Sequence, residues 1–283
     1  MAIEKVKTIL EMADKANTAV LAFNCSDFNM ISSVLQGAEK ANKPVICMLD
    51  PRHATFMRWI TPKIYGPMVR ELAEKVRIPV GIHLDHCTDF NLLITAMQSG
   101  FNSVMYDGSM LTPEENLKNT KEVVHIAKAL GVDVEAELGH VGFADNAKDQ
   151  DDEDLYTKPD TASRFCEESG CSSLAIAIGS AHGFYKKTPH LDLERLSEIN
   201  NQTDVPLVLH GGSGIPDDQL KIAFTRGINK LNVGTELFYN YLLSAKKYCN
   251  DEKTDNMFDF PAAAQDDLTE YVYNKLELSS ITV

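Results

Sequence analysis

Three histidines, His86, His182 and His210, each stand where an apolar, strand-like run gives way to glycine or acid. His86 follows Asp85 near the end of Pro79-Val80-Gly81-Ile82-His83-Leu84-Asp85-His86-Cys87. His182 lies in Ser180-Ala181-His182-Gly183, and His210 closes Pro206-Leu207-Val208-Leu209-His210. Imidazoles from three strand ends can converge across a barrel mouth. They would supply three nitrogen ligands and leave coordination positions open, the arrangement of a catalytic rather than a structural zinc site. One such residue alone could equally be a hydrogen-bonded core histidine, and His83, inside the same run as His86, is read that way. Asp107 with Ser109, and Glu137, end two further runs. Glu135 and Glu137 share a face by the two-residue strand period.

A second chemistry lies in two glycine-rich turns. Gly211-Gly212-Ser213-Gly214 separates a strand from a helix expected near Pro216, and Asn232-Val233-Gly234-Thr235 follows the next strand. Glycines let backbone N–H groups approach an anion, and a helix N-terminus adds a favourable dipole. In parallel barrels the loops after strands seven and eight are a frequent phosphate site. With Ser213 and Thr235 as hydroxyl donors, the pair of turns reads as a phosphate cradle.

These residues need a scaffold that brings eight strand ends together. Strand-like runs occur at 19–23, 44–49, 79–87, 102–106, 132–138, 173–178, 206–210 and 228–233. Helical spacing covers 3–15, 62–77, 89–99, 160–169, 191–200, 216–226, 235–249 and 262–278, and a further helix follows Asn24-Cys25-Ser26-Asp27 through Ala41. Pro113 opens another that runs to Leu130. Eight alternations predict an α/β fold, a (β/α)8 TIM barrel, in preference to a doubly wound sheet with its smaller strand count. One domain over 1–283 is expected, with the barrel in about 1–250 and a C-terminal helical extension at 251–283. The loop 139–159 carries Asp149, Asp151, Asp152, Glu153 and Asp154, and is either a solvated tip or a lid over the site.

The chain's 283 residues are 44% hydrophobic and 24% charged, with a formal net charge of −14. That charge argues against a general affinity for nucleic acid. Six scattered cysteines without Cys-x-x-Cys spacing argue against a disulfide framework. With no signal-peptide pattern and no membrane-length apolar run, a cytoplasmic protein without a membrane partner is expected.

The chain resembles the class II, zinc-dependent ketose-bisphosphate aldolases, a family that includes fructose- and tagatose-bisphosphate aldolases. The resemblance spans about residues 3–250. It rests on Leu84-Asp85-His86-Cys87, Ser103-Val104-Met105-Tyr106-Asp107-Gly108-Ser109, Glu135-Ala136-Glu137-Leu138-Gly139, Ala175-Ile176-Ala177-Ile178-Gly179-Ser180-Ala181-His182-Gly183 and Leu209-His210-Gly211-Gly212-Ser213-Gly214. It implies that His86, His182 and His210 hold Zn²⁺, with Glu137 and Asp107 near an alternative, inward metal position. Asp85 would carry the proton of the C4 hydroxyl while the metal stabilises the enediolate of dihydroxyacetone phosphate. Asn24, Gly183, Gly211, Gly212, Ser213, Asn232, Gly234 and Thr235 match the substrate- and phosphate-binding segments. The resemblance also implies a sugar-phosphate substrate, a homodimer or homotetramer, and a monovalent cation as an optional second ion.

Three departures bear on the substrate. Where bisphosphate-cleaving members usually carry a serine after the second strand, this chain aligns Asp50, whose carboxylate would repel a phosphate. No arginine follows Arg226, whereas relatives often use a C-terminal arginine for the distal phosphate; Arg52, His53 and Arg58 are the local substitutes. In the loop, Gly142-Phe143-Ala144-Asp145-Asn146 replaces Gly-Gly-x-Glu-Asp, which makes Asp145 the candidate loop acid. The expected reaction is reversible cleavage of a ketose phosphate or bisphosphate of the fructose or tagatose 1,6-bisphosphate type to dihydroxyacetone phosphate and an aldehyde (glyceraldehyde 3-phosphate from a bisphosphate). The three departures favour an aldehyde half without a phosphate. A zinc hydrolase on the same barrel, or a non-catalytic sugar-phosphate-binding protein, are the competing readings.

Overall fold

The computed structural model describes residues 2–53, 57–145, 155–250 and 259–283. Eight strands, β1 (Val20–Asn24), β2 (Val45–Leu49), β3 (Val80–Cys87), β4 (Ser103–Tyr106), β5 (Asp133–Leu138), β6 (Ser173–Ile176), β7 (Leu207–Leu209) and β8 (Ile228–Val233), form a closed barrel in sequence order. All neighbours are parallel, and β8 returns to β1 with Leu21 opposite Leu231. Parallel strands are covered on both faces, which is why these runs are almost continuously apolar.

The helices are α1 (Val6–Lys15), α2 (Phe28–Ala41), α3 (Pro62–Ala73), α4 (Phe90–Gln98), α5 (Pro113–Leu130), α6 (Pro159–Ser169), α7 (Leu193–Gln202), α8 (Asp217–Thr225), α9 (Thr235–Cys249) and α10 (Phe260–Leu276). Local chemistry sets their starts. Asp27 accepts from the Met30 N–H, and Thr112 and Glu115 form a reciprocal capping box. Val6, Ile9 and Leu10 of α1 pack on Val20, Ala22, Ile46 and Met48. A Cβ on Gly81 would come within 2.8 Å of Val6 Cγ2, so glycine there lets α1 seat against the barrel.

The C-terminal helix folds back over the barrel. On α10, the Gln265 carbonyl accepts from Ser33 Oγ of α2 at 3.0 Å, and Asp267 pairs with Lys247 of α9 at 2.8 Å. The chain end reaches α2 as well, where Val283 N–H donates to the Asn42 carbonyl. No helix among the described residues is long and apolar enough to cross a membrane.

Several boundaries differ from the sequence expectation for identifiable reasons. The helix expected over 62–77 ends at Ala73, where the Lys75 and Val76 N–H groups turn back to the Leu72 and Ala73 carbonyls in tight i→i−3 bonds that close the last turn. The helix expected from 191 starts at Leu193, where Asp192 caps it by accepting from the Arg195 N–H. Strand six stops at Ile176 because Thr157 takes over the pairing: its Oγ1 accepts from Ala177 N–H and its N–H donates to the Ala177 carbonyl.

Candidate active site

A bulge in β3 sets up the centre. Strict alternation would send Asp85 and His86 to opposite faces of the sheet. Here the β3–β4 register shifts between Leu84 and Cys87, and His86 adopts a left-handed backbone with φ of 42°. Such a conformation costs a non-glycine residue about 1–3 kcal/mol and persists only where its surroundings impose it. Its result is that acid and imidazole both serve the barrel mouth. Asp85 lines a cavity of about 680 Å³ there, and the His86 ring centroid lies 4.8 Å from that of His182 and 4.5 Å from that of His210.

Each imidazole has one nitrogen left over. His86 Nδ1 is 2.8 Å from Asp107 Oδ2, and His210 Nε2 is 2.9 Å from Glu135 Oε1. The opposite nitrogens, His86 Nε2 and His210 Nδ1, are buried without a hydrogen-bond partner, as is His182 Nε2. Orphaned buried polar atoms are rare and call for an explanation. These three side chains bring ligand atoms within 4.8 Å of one another, as a single cation would require. Carboxylates behind ligand histidines are the usual means of fixing their tautomers. The residues therefore fit a metal ion.

His86, Asp107 and Glu137 form a second group within the same limit. Glu137 Oε2 lies 3.9 Å from His86 Nδ1 and 3.4 Å from His210 Nδ1. Burial first, then the neighbouring Asp107, pushes the Glu137 carboxyl up to about 8. Burial also disfavours a charged His182, as do the neighbouring His86 and Arg52, and the ring stays neutral as a ligand must.

Below this layer lies another charged one. His83, Glu135 and Lys230 sit two residues before Asp85, Glu137 and Asn232 on the same strands, and all three are fully buried. Lys230 Nζ donates to Glu135 Oε2 at 2.8 Å, and His83 Nδ1 meets Ser103 Oγ at 2.8 Å. Burial and the Lys230 charge lower His83 to about 3, which keeps it neutral. His83, Asp85 and Glu135 could also group around a cation, but the Lys230 ammonium already supplies the positive charge there.

Asp85 is held from both sides. Asn24 Nδ2 donates to Oδ2 at 2.9 Å and Asn232 Nδ2 to Oδ1 at 3.2 Å. Burial alone would raise its pKa, but His86, His210 and Lys230 outweigh that and hold it well below the usual carboxylate range.

The glycine turns close the other side of the cavity, to which Gly183, Gly211, Ser213, Gly234 and Thr235 all contribute lining. Gly211 has φ of 68°, and a Cβ there would fall 2.2 Å from the Ala181 carbonyl oxygen. Gly212 is one step removed from the cavity; its Cβ would strike Leu231 and the Asn232 carbonyl, so it serves close packing on β8. Two residues without a motif of their own tie the turns together. Tyr185 OH donates to the Gly211 carbonyl and accepts from the Ala181 N–H. Glu236 Oε1 accepts from the Gly214 N–H, while its Oε2 is held by Tyr271 and Lys275 of α10. Neither was visible in the sequence, because no local spacing marks a contact made across elements.

Asp145 is exposed and is not among the residues lining the cavity. Its loop is nonetheless anchored beside the centre, since the Ala144 N–H donates to the His182 carbonyl and the His182 N–H to that of Gly142. Asn146 and the acids Asp149, Asp151, Asp152, Glu153 and Asp154 lie outside the described residues. Asp50 corrects the simple expectation of a bare repelling carboxylate. It is paired side-on with Arg52, with contacts of 3.1, 3.1 and 2.8 Å, and accepts from the Arg52 N–H as well.

Comparison with known proteins decides the family. The model for class II fructose-bisphosphate aldolase matches residues 4–282. The chain belongs to that family. It is 36% identical over 252 residues to the sulfofructosephosphate aldolase of Alkalicoccus urumqiensis, covering 89% of this chain and 87% of that one. It is also 37% identical over 235 residues to YdjI of Escherichia coli (strain K12), covering 83% and 84%. The crystal structure of the YdjI aldolase superposes with a TM-score of 0.87 at 32% identity, covering 98% of this chain and 97% of the other. The protein is thus an aldolase, a carbon–carbon lyase of a metal-dependent class, and the match extends through the C-terminal helix that the sequence resemblance left out.

Proposed function

We propose that the protein is a Zn²⁺-dependent aldolase that reversibly cleaves a ketose phosphate to dihydroxyacetone phosphate and an aldehyde lacking a phosphate. The observation that carries this reading is the convergence of three orphaned buried nitrogens beside an ionised, doubly anchored Asp85. His86, His182 and His210 would hold the metal, which when bound supplies Lewis-acid stabilisation of the negative charge that develops on the ketone oxygen. The remaining work falls to the chain. The glycine turns and the N-terminus of α9 receive the phosphate through backbone N–H groups, with Ser213 and Thr235 adding hydroxyl donors.

Asn24 and Asn232 orient the Asp85 carboxylate, and it takes the proton of the C4 hydroxyl as the C3–C4 bond breaks. In the condensation direction the same carboxyl returns that proton. Asp145, or another acid of its loop, moves the proton at the carbon next to the ketone. Asp50 and Arg52 line the same cavity; taken as the contact for the aldehyde half, this pair supports a substrate other than a bisphosphate. The relative named a sulfofructosephosphate aldolase agrees with a ketose phosphate of that kind.

The test is steady-state cleavage. A singly phosphorylated ketose should be cleaved with higher kcat/KM than fructose or tagatose bisphosphate; the reverse ranking by a wide margin defeats this reading. A metal-dependent hydrolase would instead release no dihydroxyacetone phosphate from any ketose.

A further inference from the structure

The distal part of the cavity has one source of fixed positive charge. Arg52 is the one arginine or lysine among the described residues lining it, and it shares that lining with Asp50 and His53. Its guanidinium is held side-on through Nε and Nη2 by a carboxylate that is only 6% exposed. A guanidinium carries five N–H donors. Side-on pairing through Nε and one Nη2 hydrogen leaves the Nη1 edge and the other Nη2 hydrogen for a second acceptor. The Arg52 side chain is 36% exposed, which permits that approach.

The pair's net charge is zero, and His53 Nε2 lies 3.8 Å from the same Asp50 oxygen. A phosphate dianion placed here would meet the arginine fork and the Asp50 carboxylate together, with no second arginine or lysine among the described lining residues to offset its second charge. A singly charged oxyanion needs no second cation. Phe238, whose ring centroid is 6.2 Å from that of His53, and Leu242 also line the cavity and add no charge. In the barrel, β2 leads to Arg52 and is separated from β8 and its phosphate turn by β1. Arg52 thus stands on a different turn from those that would receive the phosphate, and with the phosphate on the turns after β7 and β8 it is left to contact another part of the substrate.

We propose that Arg52, set by Asp50, is the anchor for a single negative charge, a sulfonate or carboxylate, at the far end of the aldehyde half, and that Asp50 disfavours a phosphate there. This rests on the aldolase reading above and names the substrate class that the same site selects.

The experiment is condensation of dihydroxyacetone phosphate with 2-hydroxyaldehydes of one skeleton ending in a hydroxyl, a carboxylate, a sulfonate or a phosphate. One or both singly charged aldehydes should exceed the neutral and phosphorylated ones in kcat/KM by about tenfold or more, and their ranking separates sulfonate from carboxylate. Arg52→Gln should cost the preferred acid about 10- to 100-fold, chiefly in KM, the scale of a lost charge-assisted contact. The neutral aldehyde should lose at least tenfold less. Arg52→Lys should restore part of the loss, and Asp50→Asn should shift the ratio toward the phosphorylated aldehyde.

A wild-type preference for the neutral or phosphorylated aldehyde overturns the inference, as does an equal loss with every aldehyde in Arg52→Gln; aldol chemistry stands in each case, although a preference for the phosphorylated aldehyde also removes the unphosphorylated aldehyde half from the proposed function. Condensation with none of them removes the aldolase reading and this inference with it. If Arg52→Gln fails to fold, the wild-type series decides alone.

Discussion

The buried centre and the cavity rim of this barrel are built differently. At the centre, each functional atom is held by partners from several strands: His86 by Asp107, His210 by Glu135, and Asp85 by Asn24 and Asn232. Beneath it lies the Glu135–Lys230 ion pair with the neutral His83 beside it, closed to water. At the rim, the Asp50–Arg52 pair is made within one turn, and the loop bearing Asp145 is exposed at its tip. A centre fixed from many sides holds geometry to the tolerance a reaction needs, whereas a turn can change its side chains without disturbing the strands. Reaction type therefore belongs to the centre and substrate choice to the rim.

The largest effect should come from Asp85, the proposed acid/base of the centre. Asp85→Asn keeps the size of the side chain but turns one acceptor oxygen into an NH2 donor and removes the proton acceptor, and kcat should fall about 10²–10⁴-fold while bound metal is retained. Loss of metal together with activity would instead make Asp85 structural. Next is the layer below. Lys230→Met leaves Glu135 buried without its cation, and denaturant unfolding should show a loss of about 3–5 kcal/mol. A neutral result would mean that Glu135 is not charged there.

Smaller effects probe the support of each part. Asp107→Asn should weaken Zn²⁺ affinity about 10–100-fold in a chelator competition, because it loosens the His86 ring rather than removing a ligand. At the rim, Lys275→Met frees Glu236 from its α10 partner. The Glu236 carboxyl is raised by burial, but Lys275, Tyr271 and the Gly214 N–H together lower it below the usual range. Its contribution is present above the unfolded glutamate pKa and is lost as pH falls through the lower folded value. The variant should be less stable by about 1 kcal/mol at pH 7, with the gap closing below about pH 4. A gap that persists in acid would assign the loss to packing instead.

The sequence made the centre more legible than the rim. Eight apolar runs, most of them ending in histidine, acid or glycine, carry the barrel and its catalytic end, because strand burial and polar strand ends are local signals. The β3 bulge was not legible, since the left-handed His86 backbone follows from its neighbours and not from its own residue type. Lys230 read as an ordinary strand position because its partner, Glu135, is 95 residues away. Asp50 read as a repelling charge for a related reason: side-on pairing with Arg52 depends on turn geometry, which spacing of two leaves open. The return of α10 onto α2 and Glu236 is a long-range packing event with no local motif.

Cleavage of a ketose 1-phosphate by chelator-treated protein, with and without Zn²⁺ restored, tests the central claim most directly. The three-histidine centre predicts that cleavage disappears on chelation and returns with about one Zn²⁺ per chain, the number that one such centre holds. Cleavage that survives complete metal removal would contradict it.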